Sequence, residues 1–415
     1  MKKIFFLFIL FPLLSIFFCQ NANSQYSPQA FNLRVLFIAF NPIEGNKNMA
    51  EEFYGWYYQN KNIEEWENQQ AQKNIDSFRR LSDNTINYQV VKKINISQFP
   101  KYTNGFQYTF EKFREWKCAS GDPERNCESQ KWYFDHISWI KDNHICEIAE
   151  ENNVDEIWVM SIPFIMNYES FMIGPSDSFF INGPGLNIPE CQKHYAVMNM
   201  IYASEGPFLH IYGHRIESQM RYLMQNWKDE DIQRHWKNFS AIDRYYEPMD
   251  GTSRTYPQTY CGNAHFPSNA TKHYDYNNSE VKPSSCLDWK NFPNYKGETQ
   301  NINCEFWGCS DSGWQEFWFS SLPRSTGYAK MTNKYGGKRF YFQKNWWFYI
   351  LYPDNSINFV KNISTLPGDF NGDKKINDLD LEILLDNWLT NNADLNYDNT
   401  TDEKDLTILL VNWCP

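Results

Sequence analysis

The sequence lacks several short motifs by which enzymes commonly bind cofactors or activate a nucleophile. Its 415 residues contain no Gly-x-Ser-x-Gly elbow, no phosphate-binding P-loop and no Gly-x-Gly-x-x-Gly turn after a predicted strand. No two cysteines have the Cys-x-x-Cys spacing typical of structural zinc sites. The sequence therefore lacks the signatures of four classes of protein: α/β-hydrolases, P-loop nucleotidases, dinucleotide-dependent enzymes and cysteine-bound zinc modules.

Positive charge is also scarce. The chain has 39 Lys and Arg against 50 Asp and Glu, a net charge of −11. Residues 369–415 carry 11 of the acidic and 3 of the basic side chains, so the rest of the chain is close to neutral. Because a nucleic-acid surface needs clustered Lys and Arg, we expect no nucleic-acid partner.

Long apolar runs are rare, and the one that stands out lies at the start of the chain. After the basic MKK comes FFLFILFPLLSIFF, followed by small residues at Ala22 and Ser24. This pattern predicts a cleaved secretory signal over residues 1–24, with an uncleaved anchor as the alternative. No second run has membrane length, so we expect a secreted protein without a membrane span after signal cleavage.

Cysteines remain after signal cleavage, and an oxidising compartment makes disulfides the default interpretation. Cys118 and Cys127 flank a turn-rich segment, which predicts a local bridge. The four cysteines between residues 261 and 309 leave three pairings open. The number of cysteines that remain after signal cleavage is odd, so we expect one free thiol. The nine cysteines are Cys118, Cys127, Cys146, Cys191, Cys261, Cys286, Cys304, Cys309 and Cys414.

Aromatic residues are abundant, with 32 Phe, 26 Tyr and 16 Trp, enough to fill a large core. Helix-like stretches near 48–62, 107–117 and 131–151 alternate with β-rich runs, which predicts an α/β fold with a mostly parallel sheet and flanking helices over residues 25–352. The four β-rich runs cover residues 34–40, 86–96, 155–164 and 195–202.

Beyond about residue 240 the sequence is rich in Gly, Pro, Asn, Ser and Trp, which predicts an irregular, disulfide-tied elaboration of this unit. Its tryptophans either stack on sugar rings or pack in the core, and core packing is the favoured interpretation. A linker is predicted over residues 353–368. The tryptophans concerned are Trp289, Trp307, Trp314, Trp318, Trp346 and Trp347.

Ligands of parallel sheets bind past the carboxyl ends of the strands. Three segments follow predicted strands there: 41–48, the long loop 166–185, and 204–217. The last contains FLHIYGHRIE, in which a helix starting near Pro207 places His210 and His214 one turn apart on one face. That spacing suits two zinc ligands from one helix.

Further residues complete this candidate zinc site. Glu217 falls on the same helical stripe, and His265 in the turn-rich CGNAHFP is the predicted third ligand. The HExxH motif of zinc peptidases is not matched, because Ile211 stands where its glutamate would be. A general base must then come from Glu169 or Glu205. The alternative is that the imidazoles are ordinary core residues.

Glu169 and Glu205 also support a different chemistry. Two carboxylates at one sheet edge are the machinery of glycoside hydrolysis. The alternative for Glu205 is a favourable charge at a helix N-terminus. A third hypothesis, carbohydrate binding or cell-surface attachment without catalysis, rests on the tryptophans.

The last 47 residues contain a duplication, since ADLNYDNTTDEKDLTILLVNW repeats GDFNGDKKINDLDLEILLDNW 25 positions later. Each unit begins with oxygen-bearing residues at the spacing by which a twelve-residue loop wraps one calcium ion, and then continues as an apolar-periodic helix. The predicted calcium ligands are Asp369, Asn371, Asp373, Lys375 (by its carbonyl), Asn377 and Asp380 in the first loop, and Asp394, Asn396, Asp398, Thr400 (by its carbonyl), Asp402 and Asp405 in the second.

This duplicated loop-helix closely resembles the type I dockerin module. The resemblance covers residues 369–415 and implies a small all-α, EF-hand-like module with two calcium ions and a cohesin-type partner. Lys374 stands where such loops favour glycine, so we expect weaker binding in the first loop. Dockerins usually accompany polysaccharide-degrading enzymes. We therefore expect a hydrolase acting on O-glycosyl bonds, with a zinc-dependent peptidase or amidase as the alternative.

Overall fold

The computed structural model describes most of the chain after residue 29. The predicted signal segment, the bridge between Cys118 and Cys127 and most of the predicted helix 107–117 lie outside the described residues. Those residues are 30–58, 61–103, 105, 107–111, 134–162, 165–166, 168–202, 207–225, 230–241, 259–332, 339–361, 368, 376–390, 393–396, 398 and 400–413.

A six-stranded sheet forms the centre of the fold. In spatial order its strands are β4 (Ile86–Ile96), β1 (Phe31–Phe40), β5 (Glu156–Ser161), β8 (Tyr195–Ile201), β6 (Ser170–Gly174) and β7 (Gly185–Asn187). The first four of these strands are parallel to one another, whereas β6 runs antiparallel to β8. This confirms the predicted α/β class with a mostly parallel sheet. Two short strands, β2 (Ile43–Glu44) and β3 (Lys47–Asn48), form a separate hairpin.

All four predicted β-rich runs are strands of this sheet. The interpretation of residues 166–185 as one long loop was wrong in part, because β6 and the start of β7 lie within it and extend the sheet. The residues of β6 are all buried, so this segment gains its stability from the core rather than from local turn preferences.

Helices cover the sheet. A strongly amphipathic helix over 63–81 was missed; Asn62 caps its start by accepting a hydrogen bond from the Glu65 N–H. The helix predicted over 131–151 is divided in two at His144, whose φ is +52°. The helices of the large unit are α1 (Met49–Tyr58), α2 (Ile63–Leu81), α3 (His136–Asp142), α4 (Ile145–Glu151), α5 (Pro207–Gln225), α6 (Glu230–Ser240), α7 (Asp311–Ser321), α8 (Trp347–Leu351) and α9 (Pro353–Lys361).

The irregular part is tied by disulfides, as predicted. Cys261 pairs with Cys286 and Cys304 with Cys309, and a third bridge joins Cys146 to Cys191. All six tryptophans considered as sugar platforms are buried, which confirms their interpretation as core residues. Two small antiparallel sheets complete this part, formed by β9 (Lys282–Ser284) with β10 (Gln300–Ile302) and by β11 (Arg324–Thr332) with β12 (Arg339–Asn345).

The segment predicted as a linker begins as α9, which packs on the large unit. Ile357 belongs to its core cluster, and Asp354 accepts a hydrogen bond from Nδ1 of the buried His194 at 2.6 Å. Residues 353–361 are therefore part of the large unit. Residues 362–367 of the predicted linker lie outside the described part.

The C-terminal residues form α10 (Asp378–Asp386) and α11 (Glu403–Val411). Each begins with a capping box, with Asn377 or Asp402 as the N-cap. Ile376, Leu384 and Leu409 belong to a small core cluster of their own. No helix within the described ranges has the length and apolarity required to cross a bilayer.

A fully buried ion pair fastens α5 to the sheet. Glu156 of β5 contacts the Arg215 guanidinium, and Tyr88 and the indole of Trp158 donate hydrogen bonds to the same carboxylate. Arg215 Nη2 donates to the Ile350 carbonyl at 2.8 Å. The two buried charges are therefore paired with each other and with polar neighbours, as burial requires. They set the position of the helix that carries His210 and His214.

His136 makes a pH-dependent contribution to stability that can be measured. Burial lowers its pKa to about 4, against smaller raising effects from the Phe134 carbonyl and Asp135. Between pH 6.5 and 4 the unfolded chain therefore binds a proton that the native chain does not bind, and the free energy of unfolding falls as the pH falls. Across this window His136 should cost the wild type on the order of 3 kcal/mol of that free energy, and we expect His136→Phe to lack this loss.

Denaturant unfolding of wild type and variant at pH 7, 6, 5 and 4.5 measures this effect. The difference between the two curves should grow towards pH 4. The exposed Ile137 on the same helix offers a control, because Ile137→Phe changes no titratable group and should keep the wild-type slope. Parallel curves for His136→Phe and wild type would contradict the prediction.

Candidate metal centre

Three histidines from two parts of the chain meet beside α5. His210 and His214 project from consecutive turns of the helix, and His265 comes from the loop that follows Cys261. The sequence spacing of the pair is enough to place two imidazoles on one helix face. His265 lies beside this pair only because its loop is held against α5.

Several local bonds hold that loop. The backbone N–H groups of Cys261 and Gly262 both donate to the Phe239 carbonyl, and the Cys261–Cys286 disulfide fastens the same point. The Asn263 side chain accepts from the N–H of His265 at 3.1 Å. Gly262 has a φ of +132°, and a Cβ there would lie 2.4 Å from a backbone oxygen. This turn therefore requires glycine.

Gly213 explains the centre of the FLHIYGHRIE segment. A Cβ at this position would lie 2.8 Å from the Gln315 amide oxygen and 3.2 Å from the Ala264 Cβ. The missing side chain therefore lets the loop and α7 approach α5 between the two helical histidines. A helix interior ordinarily disfavours glycine by about 1 kcal/mol, so close packing accounts for its presence here.

The Nε2 atoms of the three imidazoles converge. His210 Nε2 lies 3.1 Å from His214 Nε2 and 3.2 Å from His265 Nε2. The ligand atoms of the three residues all lie within 4.8 Å of one another. Three nitrogens bound tetrahedrally to zinc at about 2.1 Å would be about 3.4 Å apart. The donor set and spacing therefore suit one zinc ion with a fourth position available for water or substrate.

The opposite ring nitrogens contact carboxylates. His214 Nδ1 lies 2.9 Å from Glu217 Oε2, and His210 Nδ1 lies 3.1 Å from the Asp311 carboxylate. Imidazoles that bind metals usually donate their second N–H to such an acceptor, which leaves Nε2 free to coordinate. Glu217 also accepts the Ala264 N–H at 2.8 Å, so one carboxylate joins the helix to the loop.

The electrostatics of the three imidazoles differ. Burial, and then the nearby His214, His210 and His273, lower the pKa of His265 to about 3. Burial opposes the charged form of His214 as well, but the hydrogen bond and charge of Glu217, together with the charges of Glu169 and Asp311, outweigh it and raise the pKa. Metal binding requires neutral imidazoles, so the His265 environment favours coordination directly.

One side of the centre is open and carries a carboxylate. Glu169 is exposed, and it accepts a hydrogen bond from the Asn182 amide at 2.7 Å. Its charge contributes to the raised pKa of His214. Burial raises the pKa of Tyr274, and the charges of Glu169 and Asp311 raise it further. Glu169 is thus near enough for its charge to act on His214 and Tyr274, while Asp311 and the Tyr274 ring contact His210 directly.

The structure thus brings His210, His214, His265 and Glu169 into one region. Glu217 does not join the three converging ligand atoms and instead lies behind His214. Glu205 lies outside the described residues.

Three contributors to the centre were not predicted. Asp311 and Gln315 of α7 and Tyr276 all reach His210 Nδ1, at 3.1, 3.5 and 3.3 Å. Asp311 is 101 residues from His210 in sequence. No local spacing links such distant residues, so only packing reveals them.

The predicted calcium ligands are described only in part. In the second loop the Lys404 ammonium lies 2.6 Å from Asp398 and 3.5 Å from Asp402, so the two carboxylates lie close together. Asp405 accepts the Leu395 N–H at 2.6 Å. Asn377 and Asp380 of the first loop form the capping box of α10. The remaining ligands of that loop lie outside the described residues: Asp369, Asn371, Asp373 and Lys375.

Removing the Glu217 carboxylate should weaken zinc binding without removing a ligand. We expect Glu217→Ala to lower zinc affinity tenfold to about a hundredfold, because His214 loses its orienting acceptor and the loop loses a tie. Competition with a chromophoric chelator measures this affinity. The exposed Glu147 provides a matched control, since Glu147→Ala should bind zinc like wild type. Equal affinities for all three proteins would show that Glu217 plays no such part.

Comparison of the chain with protein-family models, curated proteins and solved structures gives no match. The functional argument therefore depends on the residues of the centre.

Proposed function

We propose that the chain is a zinc-dependent hydrolase with His210, His214 and His265 as the metal ligands. The convergence of their Nε2 atoms supports this proposal most directly. A zinc ion with three protein ligands and an open position lowers the pKa of a bound water to about 7 and polarises a carbonyl oxygen. Hydrolysis of an amide or ester bond is the chemistry that such a centre serves best.

The proposal gives the surrounding carboxylates different tasks. Glu169 is exposed on the open side, so it accepts the proton of the attacking water. Glu217 and Asp311 hold their histidines by Nδ1 and keep the Nε2 atoms available. Glycoside hydrolysis by Glu169 with Glu205 stays a prediction, and the histidine geometry favours the peptidase or amidase alternative.

Two measurements on the full chain test the hydrolase proposal. Wild-type protein should bind one zinc ion per chain and hydrolyse p-nitrophenyl acetate faster in the zinc-loaded form. Glu169→Gln should retain the ion and lower kcat/KM by about a hundredfold to ten-thousandfold, as expected for loss of a general base. Glu147→Gln serves as the control. Absence of stoichiometric zinc, or full activity of Glu169→Gln, would contradict these roles.

We further propose that the protein is secreted and attached to a cohesin-type partner by a calcium-loaded dockerin-like unit. The duplicated sequence supports this, as do two helices that begin at the ends of the repeated loops with the same capping box. The contacts of the Lys404 ammonium with both Asp398 and Asp402 support the proposal, because they bring two predicted ligands of the second loop close together. The three disulfides fit an oxidising compartment. The substrate would then be an extracellular glycan or glycan-linked amide.

Calcium titration of the full chain tests the attachment unit. We expect two binding events, and Asp398→Ala should abolish one of them because it removes a carboxylate ligand of the second loop. The neighbouring acidic residue Glu403 is not a predicted ligand, so Glu403→Ala should retain both events. Isothermal titration calorimetry measures the stoichiometry. Two unchanged events in Asp398→Ala would show that the ion binds elsewhere.

A further inference from the structure

Tyr274 has a backbone conformation that does not suit a tyrosine. Its φ is +60°, in the left-handed region that residues with a Cβ rarely adopt. The residue is also 56% exposed, so burial of the ring does little to offset the strain. Strain of this kind persists where the surrounding structure imposes it, and it concentrates at functional sites.

The surrounding structure ties Tyr274 to the metal centre. Its N–H donates to the carbonyl of His265 at 3.0 Å. Its ring lies 4.2 Å from the His265 ring and 5.9 Å from that of His210, between centroids. The position of this tyrosine therefore follows the position of two of the three histidines.

A nearby tyrosine shows what a structural role looks like at this site. Tyr276 is buried, and its hydroxyl donates to the Ala264 carbonyl at 2.9 Å. Tyr274 is instead 56% exposed, and its ring lies beside the rings of His265 and His210. Its phenol is therefore at the solvent-facing edge of the histidine group, where a substrate would enter.

We infer that Tyr274 is a catalytic residue whose hydroxyl donates a hydrogen bond to the oxyanion developing on a substrate carbonyl at the histidine centre. This inference rests on the proposed zinc-dependent hydrolysis. The phenol keeps its proton, and no covalent bond to the tyrosine forms or breaks. A donor placed at the developing negative charge stabilises the transition state more than the ground state. The inference thus implies a carbonyl substrate, such as an amide or ester.

Tyr274→Phe isolates the hydroxyl, because the ring and its contacts with His265 remain. Acetohydroxamate, whose anionic oxygen mimics the reaction centre, is the probe for calorimetric binding to the zinc-loaded full chain. A hydrogen bond to a charged oxygen corresponds to an affinity loss of about tenfold to a hundredfold. We expect that loss in Tyr274→Phe, with unchanged zinc stoichiometry. For p-nitrophenyl acetate the decrease should appear in kcat rather than in KM.

A control tyrosine lies on α5 itself. Tyr222 is half-buried, stacks on Phe179 with centroids 3.8 Å apart, and lies two turns beyond His214. Tyr222→Phe should leave acetohydroxamate binding unchanged.

The outcomes separate this inference from the proposed function. If the wild-type chain binds no stoichiometric zinc, both are overturned. If it binds zinc and acetohydroxamate but Tyr274→Phe binds the probe equally well and retains full kcat, only the role of Tyr274 is overturned. A loss confined to Tyr274→Phe supports the inference.

Discussion

Replacing His265 with alanine should abolish stoichiometric zinc binding by the full chain. His210 and His214 come from one helix and supply two ligands, whereas His265 supplies the third from a loop held in place by other elements. Two imidazoles leave an exchangeable and weakly bound ion. The affinity loss should exceed that of any orienting residue, so we expect about a hundredfold or more.

Equilibrium dialysis followed by metal analysis measures the effect on His265→Ala. His273 offers a close control, since its ring lies 5.6 Å from that of His265 without belonging to the group of converging nitrogens. His273→Ala should retain one zinc ion per chain. Retention of the zinc ion by His265→Ala, or an equal loss of bound zinc in both variants, would contradict the three-histidine assignment.

Removing the Glu156 carboxylate should cause the largest loss of stability from one substitution near the centre. Glu156→Ala leaves the Arg215 guanidinium fully buried without its counter-charge. Breaking a buried pair in this way lowers the free energy of unfolding by about 3–5 kcal/mol. Because Arg215 adjoins His214 on α5, the variant should also bind zinc more weakly.

Denaturant unfolding compares this variant with a surface pair. Lys101 and Asp142 contact at 2.9 Å, but both side chains are more than half exposed. Asp142→Ala should therefore change stability by no more than about 1 kcal/mol. Similar losses in Asp142→Ala and Glu156→Ala would show that the buried pair has no special weight.

Much of the fold followed from local pattern. Three of the four β-rich runs form β1, β5 and β8, whose apolar, β-branched and aromatic residues are almost all buried within the sheet. The fourth forms the edge strand β4, which is partly exposed and contains polar residues between its apolar ones. Strand β6 was not predicted, since it ends at Gly174 with Pro175 directly after it, and its five buried residues are too few for a periodic signal. The helix over 63–81 was missed because most of its residues are polar or charged, so its buried face has few apolar residues.

The centre shows the same division between local and distant information. The spacing of His210 and His214 determined that both imidazoles lie on one helix face, because residues four apart on a helix are neighbours. The partner of each Nδ1 was not readable in this way. Glu217 was predicted as a ligand from its helical stripe, yet its carboxylate contacts His214 Nδ1 and the Ala264 N–H.

The sequence by itself therefore determined the α/β pattern, the histidine pair and the duplicated C-terminal loops, all of which are properties of residues close along the chain. Only the tertiary structure decided that His265 meets that pair and that Asp311 supports it. Those contacts depend on a disulfide, a glycine turn and the packing of α7 against α5. The reason is physical: helix and strand periodicity is local, whereas the convergence of three Nε2 atoms requires segments that only the folded core brings together.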